Sequence, residues 1–307
     1  MIIRQRSTLS VPGHLEKMHR KAFESAVDVI MLDLEDSVPV DSKEAARVQV
    51  ISTLCEREAF KHGISVRVNS VDTPFCFRDV IEVVRSAGAK IDSIVLPKVD
   101  NAGDAHFLAR LLDGVETEAG LQKQIAIDAS IESAASIENI SEIAKVPRVR
   151  SLVFGIADYS ASIGAKLTSI SGHGENEQDI YPGHRWNYVM SKIVQTAKAH
   201  NLLAIDAPYG HFQDLLGLVD SSKISAALGF DGKWAIHPCQ IDTLNNVFSP
   251  SKEEIDRAKR IIEAANAIKA TPAGLPCGAG AFAVDGRMVD RATLRLAQKL
   301  IDSIQEV

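Results

Sequence analysis

Ile125–Glu132, IAIDASIE, and Ser151–Asp158, SLVFGIAD, are the stretches whose reading decides the fold. Both are short apolar runs rich in Ile and Val, and between them SAASIENISEIAKV (133–146) carries apolar residues at helical spacing. Strand, helix, strand in that order is the pattern of a βαβ unit. Each run ends in a carboxylate, Glu132 on the first and Asp158 on the second. Parallel neighbours in one sheet bring their C-terminal ends to the same edge, so these two side chains could converge. A converging pair suits a hard divalent cation such as Mg2+, which takes a few carboxylate oxygens and keeps positions open for substrate. The same residues equally suit the start of a loop or the cap of a helix, since Asp is a favoured N-cap.

Working outward, six more runs of this kind flank the pair: STLSVP (7–12), VIMLDLED (29–36), ISVRVN (64–69), SIVLPKV (93–99), LLAIDAPYG (202–210) and KWAIHP (233–238). Segments of helical period separate them, among them HLEKMHRKAFESA (14–26), WNYVMSKIVQTAKAH (186–200) and DLLGLVDSSKISAALG (214–229). Asp41 and Glu44 have the spacing of a capping box at the start of the second helix. Eight strands alternating with helices over about 240 residues predict a (β/α)8 TIM barrel. A doubly wound open sheet would carry a glycine-rich phosphate fingerprint after its first strand. Val11-Pro12-Gly13-His14 is no such fingerprint. Most runs finish in polar groups: Glu35 and Asp36, Arg67 and Asn69, Lys98, Glu132, Asp158, Asp206, His237. In a barrel these ends share the face on which active sites are built.

Beyond the eighth run the pattern changes. SPSKEEIDRAKRIIEAANAIKA (249–270) opens with a second capping box, Ser251 to Glu254, and continues as an amphipathic helix. The stretch 271–290 reads as glycine-rich and turn-forming, and a last helix runs from about Arg291 to Ile304. The expected organisation is a barrel over 1–245 and a C-terminal helical arm over 246–307, able to fold over a barrel mouth, its own or a neighbour's.

Composition sets outer bounds. The 307 residues are 46% apolar and 24% charged, ordinary for a protein with a full core. Net charge is −6 without a basic cluster, which argues against a nucleic-acid partner, and 5% aromatic residues argue against a stacking platform. Cys55, Cys76, Cys239 and Cys277 lack metal-site spacing and read as reduced thiols. The opening MIIRQRSTLS lacks the apolar core of a signal peptide, and no run is long enough to cross a bilayer. A cytoplasmic enzyme is the expectation.

The strand ends resemble those of the HpcH/HpaI aldolase/citrate lyase superfamily, which includes citrate lyase β-subunits and malyl-CoA lyases. Ser7–Gly13 (STLSVPG), Leu32–Val38 (LDLEDSV) and Arg67–Asn69 (RVN) are similar to its first three strand ends. Ile131–Ser133 (IES) and Phe154–Asp158 (FGIAD) are similar to its fifth and sixth, Gly232–Pro238 (GKWAIHP) to its eighth, and Asp285–Asp290 (DGRMVD) to its tail motif. Within the family, Arg185-Trp186, Ile205–Gly210 (IDAPYG) and Gly232–Trp234 look closest to malyl-CoA lyases. Departures are Ser133 where Thr is usual, Ala207-Pro208-Tyr209 in place of Gly-Pro-Phe, and His173-Gly174.

The resemblance implies trimeric or hexameric barrels that make or break a carbon–carbon bond beside a CoA thioester. It implies Mg2+ on Glu132 and Asp158, holding a 2-oxo acid, with Glu35 and Asp36 behind it on metal-bound waters. Arg67 is the candidate donor to the thioester oxygen as it becomes an enolate, or else one half of a structural ion pair. Asp290, from an adjacent subunit, is the implied acid/base, and its position also suits an N-cap with Val289 and Leu294 as a hydrophobic staple. Arg6, Lys17 and Lys98 are candidate contacts for CoA phosphates, while His237 reads as a buried structural hydrogen-bonder. The polar stretch 172–183 is either a loop over the mouth or a variable insertion. The expected activity is Mg2+-dependent cleavage of malyl-CoA or β-methylmalyl-CoA. Open alternatives are citryl-CoA or citramalyl-CoA cleavage, thioester hydrolysis, and a non-catalytic barrel. The presence together of Glu132, Asp158, Arg67 and Asp290 speaks against the last.

Overall fold

The computed structural model describes residues 4–56, 59–165, 185–270 and 281–305. Eight parallel strands close on themselves in sequence order. Strand and helix alternate as β1 (Ser7–Pro12), α1 (Glu16–Glu24), β2 (Val29–Asp33), α2 (Lys43–Cys55), β3 (Gly63–Arg67), α3 (Cys76–Ala87), β4 (Ser93–Leu96) and α4 (Ala102–Ala119). They continue as β5 (Ala126–Ile131), α5 (Ala134–Ile143), β6 (Val149–Phe154), α6 (Ile156–Ser162), α7 (Asn187–Ala199), β7 (Leu203–Asp206), α8 (Leu215–Leu228), β8 (Gly232–Ala235) and α9 (Ile241–Val247). This is the (β/α)8 TIM barrel that the eight runs predict. β8 pairs with β1 through Thr8 and Trp234, which closes the ring.

Strands covered on both faces read as unbroken apolar runs, and all five residues of β2 are buried. Alternation then sorts them. Ile30 and Leu32 join the large cluster between strands and helices, whereas Met31 meets Val95, Val153, Ile205 and Trp234 in a separate inner cluster. Polar residues enter the interior only with partners. Asp128 is fully buried and accepts hydrogen bonds from Arg150 Nε (2.8 Å), Ser151 Oγ (2.6 Å) and Ser93 Oγ (2.5 Å).

One helix start departs from expectation. A 3-10 turn at Val40–Ser42 precedes α2, and Ser42 at the N-cap makes no side-chain cap bond, so the Asp41–Glu44 capping box does not form.

Asp206 and Lys233 lie opposite each other on β7 and β8, both wholly buried, and the Lys233 ammonium donates to Asp206 Oδ2. Ser225 Oγ of α8 adds a second bond to the same oxygen at 2.5 Å. Removing one partner of a buried pair strands the other charge. Lys233→Met is therefore expected to lose about 3–5 kcal/mol of unfolding free energy by chemical denaturation. An unchanged denaturation midpoint would show that the pair is dispensable.

Among the described residues, those from Ser249 onward form a second compact unit, and those up to Phe248 form the first. The second unit contains α10 (Lys252–Ala270), a hairpin of β9 (Ala281–Val284) and β10 (Arg287–Asp290), and α11 (Arg291–Gln305). The Ser251–Glu254 capping box is present, each residue's side chain accepting the other's backbone N–H at 3.2 and 2.8 Å. The hairpin lies within the stretch read as merely turn-forming. No helix among the described residues is long and apolar enough to cross a membrane.

Candidate active site

Asp33, the last residue of β2, is wholly buried at the C-terminal edge of the barrel. It accepts two hydrogen bonds from the fork of Arg67, which ends β3: Nε to Oδ1 at 2.7 Å and Nη2 to Oδ2 at 2.6 Å. Burial alone would push this carboxyl up, but the Arg67 guanidinium overrides it and holds the pKa below the ordinary carboxylate value. Burial likewise works against the charge of Arg67, and Asp33 and Glu35 outweigh it, so the guanidinium is held charged. Arg67 also lies over the ring of Trp234, 5.7 Å from its centroid.

Glu35 lies two residues beyond β2, buried in the bend that follows it. Its Oε2 is 3.0 Å from Arg67 Nη1, and its Oε1 accepts from Lys98 Nζ at 2.7 Å. Burial raises its pKa, with Arg67 and Lys98 opposing. Asp36 is exposed at the rim, 3.4 Å from the same ammonium. Lys98 follows β4 in a left-handed conformation, φ +52°, which costs a residue with a Cβ about 1–3 kcal/mol. That strain is offset by two contacts: its ammonium reaches Glu35 and Asp36, and its backbone N–H donates to Glu132 Oε1. Such an outlier, held by site residues on both sides, marks a functional position.

Glu132 directly follows β5 and is 6% exposed. Burial and the neighbouring Glu35 push its pKa up to about 8, with Asp158 adding to the effect. Its side chain lies across the end of β6 at Gly155, where a Cβ would stand 2.2 Å from Glu132 Oε2. Only glycine leaves that space. Asp158 lies in the first turn of α6 and not on β6 itself, half-buried, and its charge acts on both Glu132 and Lys98.

Five acids, Asp33, Glu35, Asp36, Glu132 and Asp158, thus face two cations, Arg67 and Lys98. The excess of hard oxygen donors fits a divalent cation. Among the described residues no three His, Cys, Asp or Glu side chains converge as a complete metal cage. Mg2+ needs none, since it binds through one or two carboxylates and keeps several waters. Glu132 and Asp158 lie near enough for the charge of one to act on the other.

The remaining predicted residues fall elsewhere. Arg6 precedes β1 and so lies at the N-terminal end of the barrel, where Nε and Nη2 grip Asp28 at 2.8 and 2.7 Å. A six-residue strand spans about 20 Å, which sets Arg6 at the end of the barrel opposite the acid cluster, held on Asp28 and not turned to a ligand at that rim. Lys98 is likewise turned into the acid cluster, where its ammonium neutralises Glu35 in place of a phosphate. Lys17 is exposed in the first turn of α1, at the rim. Asp290 belongs to the second unit and caps α11, Oδ1 accepting from Thr293 N–H and Oγ1 at 2.8 and 2.9 Å. Those bonds keep its carboxylate below the usual range. Val289 and Leu294 share one apolar cluster, as a staple requires. His237 is exposed, not buried; it stacks on Phe212 at 4.7 Å and accepts from Cys239 N–H at 3.2 Å. Stretch 172–183 and Cys277 lie outside the described residues.

Sequence reading missed Asp33 and Gly155. Asp33 was legible, because it stands two after Met31 on β2 and so shares its inward face. A groove of about 290 Å³ opens between α1 and the end of β8, lined by Val11, Pro12, Met18, Lys21, Ile236 and His237.

A closed parallel barrel with buried acids and cations gathered at its C-terminal edge defines an enzyme of the (β/α)8 class. Comparison with known proteins narrows this: the chain belongs to the HpcH/HpaI aldolase/citrate lyase family, whose model matches residues 6–238. It is a carbon–carbon lyase of that family. The L-malyl-CoA/β-methylmalyl-CoA lyase of Cereibacter sphaeroides is 37% identical over 302 residues, covering 96% of this chain and 93% of the relative. The malyl-CoA/β-methylmalyl-CoA/citramalyl-CoA lyase of Chloroflexus aurantiacus is 34% identical, covering 95% and 85%. Among solved structures, protein CitE from Mycobacterium tuberculosis in complex with magnesium, acetoacetate and coenzyme A superposes with a TM-score of 0.75 at 27% identity, covering 96% of each chain.

Proposed function

We propose that this enzyme is a lyase acting on a CoA thioester, and that it cleaves, or in reverse condenses, malyl-CoA or β-methylmalyl-CoA to glyoxylate and an acyl-CoA. The observation that carries this reading is the acid cluster on Glu35, Glu132 and Asp158, set around Arg67 and Lys98. Relatives named for malyl-CoA and β-methylmalyl-CoA support the substrate class, and magnesium and coenzyme A in the CitE complex support the cofactor.

Mg2+ on Glu132 and Asp158 would act as a Lewis acid on the oxygens of the 2-oxo acid. Glu35 and Asp36 would accept hydrogen bonds from waters on such an ion. The hydroxyl proton passes to water at the site, the bond between the carbinol carbon and the thioester α-carbon breaks, and its electron pair passes to the thioester as an enolate. Arg67, held charged by Asp33, stabilises that oxygen, an interaction of the kind worth about 3–4 kcal/mol per donor. Asp290, after taking a proton from solvent, would deliver it to the α-carbon of the enolate. The groove beside α1 receives the apolar part of the CoA chain, with Lys17 and Lys21 nearby for its phosphates. In this reading the arm, 246–307, brings Asp290 to the mouth of a neighbouring barrel in a trimer or hexamer.

The test is a panel of CoA thioesters incubated with Mg2+, scoring the keto acid and acyl-CoA released. Glyoxylate with acetyl-CoA or propionyl-CoA is expected. Pyruvate and acetyl-CoA would identify a citramalyl-CoA lyase, oxaloacetate and acetyl-CoA a citryl-CoA lyase, and net free CoA a thioesterase.

A further inference from the structure

Lys43 opens α2 with only 7% of its surface exposed. Its Nζ donates to the carbonyl oxygens of Leu34 at 2.8 Å and Glu35 at 2.6 Å. Two successive carbonyl dipoles turned toward one point repel each other, and a cation between them reverses that repulsion while making two charge-assisted bonds. The bend so formed is closed from the other side. Asp33 accepts from the N–H of Glu35 at 2.9 Å and of Ser37 at 3.2 Å, and Glu35 O also accepts from Val38 N–H at 2.9 Å. Between these two clamps the Glu35 side chain is aimed at Arg67 and Lys98, and Asp36 is left at the rim.

We propose that Lys43 is a positioning residue for the metal-facing loop: by fixing the peptides after Leu34 and Glu35 it sets the Glu35 and Asp36 carboxylates where they organise water around a divalent cation on Glu132 and Asp158. This rests on the Mg2+ reading given above. Charge and position make opposite demands here. Removing a cation near the seat of a dication should tighten Mg2+ binding by Coulomb's law alone. Releasing the loop should weaken it, because losing a supporting group typically costs about 10–100-fold in metal affinity.

Calorimetric titration of Mg2+ into the full chain separates the two, with Lys43→Met and Lys43→Gln followed alongside thermal melts of the metal-free proteins. The expected result is a Kd raised by about 10-fold or more in each variant that folds, with a drop in kcat/KM of similar size. A lysine that only stabilises the fold would lower the melting temperature and leave the Kd of the folded protein unchanged. Variants binding Mg2+ as tightly as the wild type, or more tightly, would overturn the inference alone. So would failure of both to fold, which would make Lys43 a determinant of stability. Absence of Mg2+ binding by the wild type would overturn the metal reading itself, and this inference with it.

Discussion

Glu132→Gln is expected to abolish Mg2+-dependent cleavage, by about 10³-fold or more, given the several kcal/mol that a metal Lewis acid supplies. The substitution keeps the shape of the side chain and removes its charge. Because burial and Glu35 already disfavour that charge, with a pKa pushed up to about 8, the metal-free variant should melt no lower than the wild type. Loss of activity without loss of stability is what distinguishes a metal ligand from a structural acid. Gly155→Ala offers the same outcome by another route. Its added Cβ would stand 2.2 Å from Glu132 Oε2 and 2.5 Å from Glu132 Cβ, so the carboxylate must leave its place although no charge has changed. Both variants should lose Mg2+ binding by calorimetry. If Glu132→Gln retains cleavage, the cation is held elsewhere.

The barrel was open to sequence reading because parallel strands buried on both faces leave long apolar runs, and each of the eight runs overlaps a strand. Side-chain placement was harder. In SLVFGIAD, Asp158 reads as the end of a strand, yet the chain turns at Gly155 into α6, so the carboxylate is presented from a helical turn. Lys98 could not be assigned from its type, since its left-handed backbone, set after the strand ends, decides that its ammonium meets Glu35 and not a phosphate. Arg6 was misread through neighbourhood: it stands next to β1 in sequence but at the wrong end of it. The hairpin in the tail was there to be read. AFAV and RMVD flank Asp285-Gly286, a two-residue pair that adopts φ of +51° and +71°, as a type I′ turn demands. The glycines just before it drew the whole stretch into one loop. Lys43 carries no motif at all, because its role exists only once the loop after β2 has bent around it.

Asp290→Asn should suppress hydrogen exchange at the α-carbon of the acyl-CoA by about 10²–10⁴-fold, the usual contribution of a positioned acid/base. Asparagine is chosen because it caps helices about as well as aspartate, whereas alanine would cost about 1 kcal/mol at that position and confound the reading. The hydrogen bonds from Thr293 to Asp290 Oδ1 can be kept by the amide oxygen. A variant that melts like the wild type and binds Mg2+ normally, yet no longer exchanges the α-hydrogens, separates the chemistry from the cap. Normal exchange would return Asp290 to capping alone. Mixing then asks which chain supplies it. If the arm serves a neighbouring barrel, unfolding and reassembling Asp290→Asn with Glu132→Gln should regenerate sites in which the wild-type Asp290 of one chain meets the wild-type Glu132 of another. Random assembly places such a pairing at a fraction of the mouths, so activity should return to a fraction of the wild-type level from two inactive parents. No recovery, with mixed oligomers demonstrated by mass, would mean that Asp290 acts on the barrel of its own chain.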